Sequence, residues 1–170
     1  MTELLLVRHG ETDWNRDPRV QGHTDTPLNP AGLAQADALA STLSSTPIDA
    51  VYSSDLVRAR DTAVAVAGIH GLSVEVDVDL REKNFGTWEG LTDVEITERF
   101  PSAVRGTWGD GETTAQVAER AVRAIRRIQE RHAHGTVLVV SHGGTLRAIF
   151  RHLGVVHGPI GNCQVFRVDY

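Results

Sequence analysis

The sequence predicts a three-layer α/β sandwich, with a mainly parallel central sheet flanked by helices, on three observations. Short apolar runs rich in β-branched residues, Leu4–Val7, Ala50–Tyr52 and Val137–Val140 among them, read as buried strands. Stretches with apolar residues at helical spacing separate them, and strands alternating with helices give a layered sheet. Finally, one pattern closes two strands: Val7-Arg8-His9-Gly10-Glu11-Thr12 and Val140-Ser141-His142-Gly143-Gly144-Thr145.

The first strand runs to Val7, and a long polar loop follows from Gly10 to Asn29. Pro30-Ala31-Gly32 opens a helix to about Ser44. Asn29 is its cap, proline suits the first turn, and Leu33, Ala36, Ala40 and Leu43 make its apolar stripe. Ala50–Tyr52 is a short strand, after which Ser53-Ser54-Asp55 caps a helix to about Ala67. A strand over Val74–Val78 precedes the segment Leu80–Gly90. Leu91–Glu112 holds a helix to Phe100 and then a glycine-rich loop. The longest helix starts at Thr113 or Thr114 and ends near His134. Its stripe is Val117, Ala118, Ala121, Val122, Ile125 and Ile128, with Glu119–Arg123 and Arg126–Glu130 as i,i+4 pairs. Thr136–Ser141 is the strand before the second histidine, residues 144–153 are a helix, and Cys163–Val168 is a last strand. That strand suits a sheet edge able to pair, which admits a homodimer.

At 170 residues the chain is expected to form one domain over residues 1–170. That length buries roughly two-thirds of the unfolded surface without staples. A net charge of −5 argues against broad nucleic-acid binding, which needs a basic surface. Lys83 is the only lysine. A single cysteine, Cys163, excludes an internal disulfide and fits a reducing compartment. No apolar run approaches the ~20 residues of a membrane span, so no membrane partner is expected. The start Met1-Thr2-Glu3 lacks a basic signal region, and a cytoplasmic location is the expectation.

Two histidines just past the carboxyl ends of strands stand where open α/β sheets bind ligands. Positive neighbours such as Arg8 disfavour an imidazolium and keep His9 neutral. A neutral imidazole whose other nitrogen donates to the backbone is a competent nucleophile. Arg8 is an odd residue for a strand end unless it meets an anion, and its planar fork matches phosphate oxygens. Arg58 lies near a helix start, where the dipole disfavours a cation, and a bound anion explains it. His142, echoing His9, would hold a phosphoryl oxygen. For the acid, spacing alone does not choose between Glu82 and Glu89.

Leu4-x-x-Val7-Arg8-His9-Gly10-Glu11-Thr12 with Asn15 behind it resembles the opening of the histidine phosphatase superfamily, phosphoglycerate mutase-like branch. So do Gln21-Gly22, Ser53-Ser54-Asp55-Leu56-x-Arg58-Ala59, Arg81-Glu82-x-x-Phe85-Gly86-x-Trp88-Glu89-Gly90 and Ser141-His142-Gly143-Gly144, in order along nearly the whole chain. The resemblance implies a phosphoglycerate mutase-like fold and phosphorylation of His9. It implies that Arg8, Arg58 and His142 bind the phosphoryl group, with Asn15 completing the pocket. By the same resemblance Glu82 protonates the leaving oxygen and later activates water, and Gln21, Gly22 and Gly143 lie at the substrate. It implies no metal and no cofactor. The partner would be a small phosphorylated metabolite: a sugar phosphate, a phosphoglycerate-type ester or α-ribazole phosphate.

Two reactions compete within the resemblance. Cofactor-dependent phosphoglycerate mutases are longer and carry a basic insertion after the acid residue. Here Phe85–Glu112 holds only Arg99 and Arg105 against Glu89, Asp93, Glu95, Glu98, Asp110 and Glu112, which favours a phosphatase. Gly109-Asp110-Gly111-Glu112-Thr113 resembles the short block of phosphatases. Trp88 and Trp108 either wall the leaving-group pocket or simply pack. A cysteine phosphatase is excluded because Asp169, not arginine, lies six residues after Cys163. There is no phosphate-binding Walker loop. His132-x-His134 reads as basic residues on a helix carboxyl end rather than a metal pair. A catalytically inactive regulatory binding module is the alternative of another class, but such modules lose the nucleophile or the arginines, and none is missing.

Overall fold

In the computed structural model, which describes residues 1–102 and 110–170, five strands form one sheet. They are β1 (Thr2–Arg8), β2 (Ala50–Ser53), β3 (Val74–Val76), β4 (Gly135–Ser141) and β5 (Val165–Asp169), in the order β3-β2-β4-β1-β5. β1, β2, β3 and β4 run parallel, and β5 lies antiparallel on β1 at one edge. The described helices are α1 (Asp13–Arg16), α2 (Pro30–Leu43), α3 (Val57–His70), α4 (Asp93–Arg99), α5 (Thr114–Arg131) and α6 (Gly143–Leu153). The readings at Arg105, Trp108 and Gly109 lie outside the described residues.

Side-chain alternation along the strands makes the layers. Leu5, Val7, Val51, Leu138 and Val140 meet Leu39, Ala40 and Leu43 of α2 and Ala59, Ala63 and Val66 of α3. Leu4, Leu6, Tyr52, Val137 and Val139 meet Val117, Ala121 and Ile125 of α5 and Leu146, Ile149 and Phe150 of α6. None of the described helices is long and apolar enough to cross a membrane.

Several element boundaries depart from expectation for identifiable reasons. Asn29 does cap α2, its side chain accepting from Gly32 N at 2.8 Å. Gly32 is pressed so closely on the Glu11 backbone that a side chain there would collide with it. The buried stripe is therefore Gly32, Ala36, Leu39, Ala40 and Leu43, which rotates Leu33 outward to 52% exposure. The polar loop contains α1, built on a capping box between Thr12 and Asn15. Leu56 rather than the Ser53–Asp55 cluster occupies the cap position of α3, and the Val57 amide donates instead to Asp25 at 2.7 Å. Asp55 pairs with Arg81. β3 stops at Val76 because Asp77 caps a 3-10 turn over Val78–Leu80.

α5 ends at Arg131, short of His134, since His132 turns out to meet Tyr52 Oη at 3.0 Å. On its buried face Arg120 and Ala124 take places assigned to Ala118 and Val122. Glu119 and Arg123 pair at 3.7 Å, while no ion pair joins Arg126 to Glu130 among the described residues. The last strand begins at Val165, not Cys163, whose φ of 56° breaks the extended run.

Candidate active site

Strand register brings the two histidines together. β1 and β4 are adjacent and parallel with Arg8 opposite Ser141, and the His9 amide donates to the Ser141 carbonyl at 3.0 Å. The next residues, His9 and His142, therefore leave the sheet side by side, their ring centroids 5.1 Å apart and their planes inclined by 55°. Both rings are buried. Gly10 lets the chain pass close against the start of α2, because a β-carbon on it would stand 2.6 Å from the Gly32 carbonyl oxygen.

His9 Nδ1 is 2.7 Å from the Gly10 carbonyl oxygen. A carbonyl only accepts, so Nδ1 carries the proton and Nε2 keeps its lone pair. Burial, and after it the Arg58 charge, holds the His9 pKa well below the ordinary histidine range; the Gly10 hydrogen bond opposes this, and Arg8 adds to it. The ring is a neutral base with a fixed tautomer. His142 is depressed by the same causes, burial first, then Arg58 and His9. Its Nε2 lies 2.7 Å from Ser54 Oγ.

Arg58 is wholly buried and donates to the carbonyls of Thr24 at 3.0 Å and Gly22 at 2.8 Å. Burial lowers its pKa to about 10, so it remains a cation at neutral pH. Arg8 donates from Nη1 to the Ile160 carbonyl at 2.9 Å. Arg8 Nε, Arg58 Nε and His142 Nδ1 are buried with no protein partner among the described residues. Three such donors around one imidazole suit an oxyanion, since each orphaned polar atom otherwise costs about 1–3 kcal/mol. Asn15 accepts on Oδ1 from the Thr12 amide at 3.0 Å and more distantly from Asn162, and its amide nitrogen makes no hydrogen bond among the described residues.

Glu82 sits against the start of α6. Its Oε2 accepts from the Gly144 amide at 3.1 Å and its Oε1 from the Lys83 amide at 2.9 Å. A β-carbon on Gly144 would press on that carboxylate, so a side chain there would displace Glu82 from the α6 start. Glu89 is committed elsewhere. It accepts from the amides of His23 and Thr24, both at 2.8 Å, from the Phe85 amide at 3.1 Å and from Thr24 Oγ1 at 2.6 Å. The carboxylates that spacing could not separate are thus distinguished by position: Glu82 faces α6 and Glu89 ties two loops.

Gln21 and Gly22 frame the site rather than crowd it. Gln21 Oε1 accepts from Thr12 Oγ1 at 2.9 Å and Thr26 Oγ1 at 2.6 Å, and Gly22 presents its carbonyl to Arg58. Gly143 is the first residue of α6, with Arg8 Nε 3.8 Å from the place a β-carbon on it would take. Trp88 is core, 5% exposed and 6.1 Å from the Phe100 ring, while Trp14 lines a cleft of about 540 Å3 beside Arg8 and Asn15. Among the described residues no three or more His, Cys, Asp and Glu side chains gather to hold a metal ion.

Three residues that hold the site escaped the sequence reading. Arg120 donates to the carbonyls of Asp79 at 2.8 Å, Arg81 at 2.6 Å and Glu82 at 2.9 Å, and its fork grips Glu112. Its signal was a charged residue on the buried face of α5. Asn162 donates to the His9 carbonyl at 2.8 Å, and Thr62 bridges the Gly10 amide to the Arg58 carbonyl. Neither of those had a sequence signal.

The sequence profile of the histidine phosphatase superfamily (branch 1) matches residues 4–170. A metal-independent phosphoserine phosphatase of Arabidopsis thaliana is 41% identical over 162 residues, 88% of this chain and 68% of that one. The solved structure of Bacillus stearothermophilus YhfR superposes with a TM-score of 0.92 at 33% identity, covering 99% of this chain and 91% of the other. The mycobacterial glucosyl-3-phosphoglycerate phosphatase complexed with VO3 gives a TM-score of 0.89 at 33% identity over 98% and 90%.

Proposed function

The chain belongs to the histidine phosphatase superfamily, branch 1, and from that premise we propose that it hydrolyses small phosphomonoesters through a phosphohistidine on His9. It is a phosphatase of small phosphorylated metabolites, as its relatives are. In the proposed sequence His9 Nε2 attacks phosphorus in line with the ester oxygen. The P–O bond breaks as the P–N bond forms, and Glu82 gives its proton to the departing alcohol. Water then attacks the phosphohistidine, its proton passes to Glu82, and inorganic phosphate leaves with His9 restored.

Phosphoryl transfer asks a protein mainly for positioning and for charge on the equatorial oxygens. Arg8 and Arg58 supply fixed cations, and His142, Asn15 and the start of α6 supply further donors. The single observation that carries the reading is the His9 ring itself, its Nδ1 committed to Gly10 beside three buried donors that lack acceptors among the described residues. For the transfer step Glu82 enters as the carboxylic acid and leaves as the carboxylate that water's proton restores.

Hydrolysis rather than mutase chemistry is supported by the segment after the acid. α4 carries Asp93, Glu95 and Glu98 against Arg99, and Arg19 is already paired with Glu95 at 3.0 Å, so the described residues there offer carboxylates rather than a basic clamp for a glycerate. A panel of phosphomonoesters with EDTA present, scored for released phosphate beside His9→Ala, tests the reading. Release from wild type alone is expected. Metal dependence, or isomerisation of phosphoglycerate that requires a bisphosphorylated primer, would overturn it.

A further inference from the structure

The register that brings His9 to His142 brings a serine there as well. β2 lies on the opposite side of β4 from β1, with Ser53 opposite Val140, so Ser54 leaves the sheet at the same carboxyl end as His142. Its Oγ stands 2.7 Å from His142 Nε2, across 88 residues of sequence, and both residues are wholly buried. Ser53 does not compete for the ring, since its own hydroxyl donates to the Ser54 carbonyl at 2.8 Å.

Burial and the neighbouring cations keep the His142 ring neutral, and a neutral imidazole carries one proton, on Nδ1 or on Nε2. A hydroxyl and a ring nitrogen can exchange donor and acceptor roles, so the contact alone leaves both tautomers open. The hydroxyl hydrogen decides between them. Ser54 is sealed from water, and among the described residues His142 Nε2 is the only partner of its Oγ. A buried hydroxyl has to place its hydrogen on an acceptor, so Ser54 donates and Nε2 accepts. The ring proton is thereby left on Nδ1, which is buried and has no partner among the described residues. The other tautomer fails twice: the serine hydrogen loses its acceptor, and Nδ1 would meet a phosphoryl oxygen with a lone pair.

We infer that Ser54 is a positioning residue that fixes His142 as its Nδ1–H tautomer, and so makes the ring a hydrogen-bond donor to the phosphoryl group rather than a second base. His9 is held in the same tautomer by the Gly10 carbonyl, yet it does the opposite work, because its free Nε2 is the lone pair that attacks. Two rings 5.1 Å apart are thus told apart by their partners, a carbonyl on Nδ1 of one and a hydroxyl on Nε2 of the other. The proton on His142 Nδ1 also keeps that nitrogen from taking the phosphoryl group in place of His9. This rests on the phosphohistidine reading proposed above, for which it names what orients one of the donors.

Long-range 1H–15N correlation spectra of the histidine rings read the tautomer directly, without turnover and without any substitution at Ser54. In wild type, the ring signals that His142→Asn removes should show a pyrrole-like Nδ1 and a pyridine-like Nε2. In Ser54→Ala, which takes away one buried oxygen, the two shifts should move toward each other as both tautomers populate. Ser54→Thr keeps the hydroxyl and should restore the wild-type pattern. Removing a preorganised donor costs about 10²–10³-fold in kcat, and Ser54→Ala, which frees the donor without removing it, should cost about tenfold with KM little changed. Absent hydrolysis would sink the proposed function, while the spectra would still decide the tautomer. A pyridine-like Nδ1 in wild type, or His142 shifts unmoved in Ser54→Ala, would overturn the inference.

Discussion

Arg120 on α5 donates from Nη2 to the main-chain carbonyl of Glu82 at 2.9 Å, across 38 residues of sequence. The same guanidinium holds the carbonyls of Asp79 and Arg81 and forks onto Glu112, which in turn accepts from the Asn84 amide at 2.7 Å. His23 Nε2 adds a hydrogen bond to the Glu82 carbonyl at 2.8 Å. The loop that carries the acid is thus pinned from three sides, and Arg120 is a positioning residue for it.

Arg120→Met removes the fork and leaves Glu112 half-buried without its cation. Breaking a pair of this kind costs about 3 kcal/mol, read by urea unfolding. Small misplacements of a reacting group cost on the order of 100-fold, so kcat should fall by about 10–100-fold with KM little changed. The loss should be larger for an alkyl phosphate than for p-nitrophenyl phosphate, whose leaving group needs no acid. Loss of stability with equal losses on both esters would reduce Arg120 to a structural role.

Glu82→Gln keeps the contacts to Gly144 and Lys83 in outline but cannot deliver a proton. General acids contribute about 10²–10⁴-fold, and the loss depends on how badly the leaving group needs protonation. Hydrolysis of an alkyl phosphate should fall by about 10³-fold, while p-nitrophenyl phosphate, whose phenolate leaves unaided, falls far less. Equal losses on both esters would remove Glu82 from the acid role.

Glu89→Gln makes the contrasting case. Glu89 gathers four hydrogen bonds between the polar loop and the segment after Glu82, three of them from backbone amides. Weakening these charge-assisted bonds should cost about 1–3 kcal/mol of stability. Its effect on rate should be the same for alkyl and aryl esters. A dependence on leaving group would transfer the acid role from Glu82 to Glu89.

Burial and Arg58 hold both site histidines below their ordinary pKa, which fixes the sign of a stability change. As pH falls below the ordinary histidine value of about 6.5, the unfolded chain takes up protons that folded His9 and His142 refuse. Stability contributed by each is complete above that value and declines by about 1.4 kcal/mol per pH unit below it. Urea unfolding at pH 7.5, 6.5 and 5.5 should show this fall, and it should be shallower in His142→Asn. A pH-independent midpoint over that range would contradict the buried, neutral assignment.

The layers and both histidines were legible because β1 and β4 each carry an unbroken four-residue apolar run, Leu4–Val7 and Val137–Val140, and end in the same pattern, and adjacent parallel strands with matched register must bring those ends together. Leu33 misled because helical periodicity does not reveal which face a close backbone approach selects; the contact between Gly32 and Glu11 turned α2 by one residue. Arg120, by contrast, carried a readable signal, a charge among Val117, Ala121 and Ala124 on the buried face of α5. Asn162 and Thr62 did not, since each acts on backbone distant in sequence, Asn162 on the His9 carbonyl and Thr62 on the Gly10 amide. Spacing left Glu82 and Glu89 unresolved, since both are carboxylates seven positions apart; the resemblance chose Glu82, and packing against α6 gives the two distinct positions.

The account turns on a P–N bond at one atom, His9 Nε2. Wild-type protein mixed with saturating p-nitrophenyl phosphate and quenched in alkaline denaturant, where phosphohistidine survives, can be digested and mapped by mass spectrometry. The expected result is a phosphoryl group on His9 that acid removes, absent from His9→Ala, which should also lack turnover. Full turnover in His9→Ala, or burst-phase release of p-nitrophenol from wild type with His9 never modified, would contradict it.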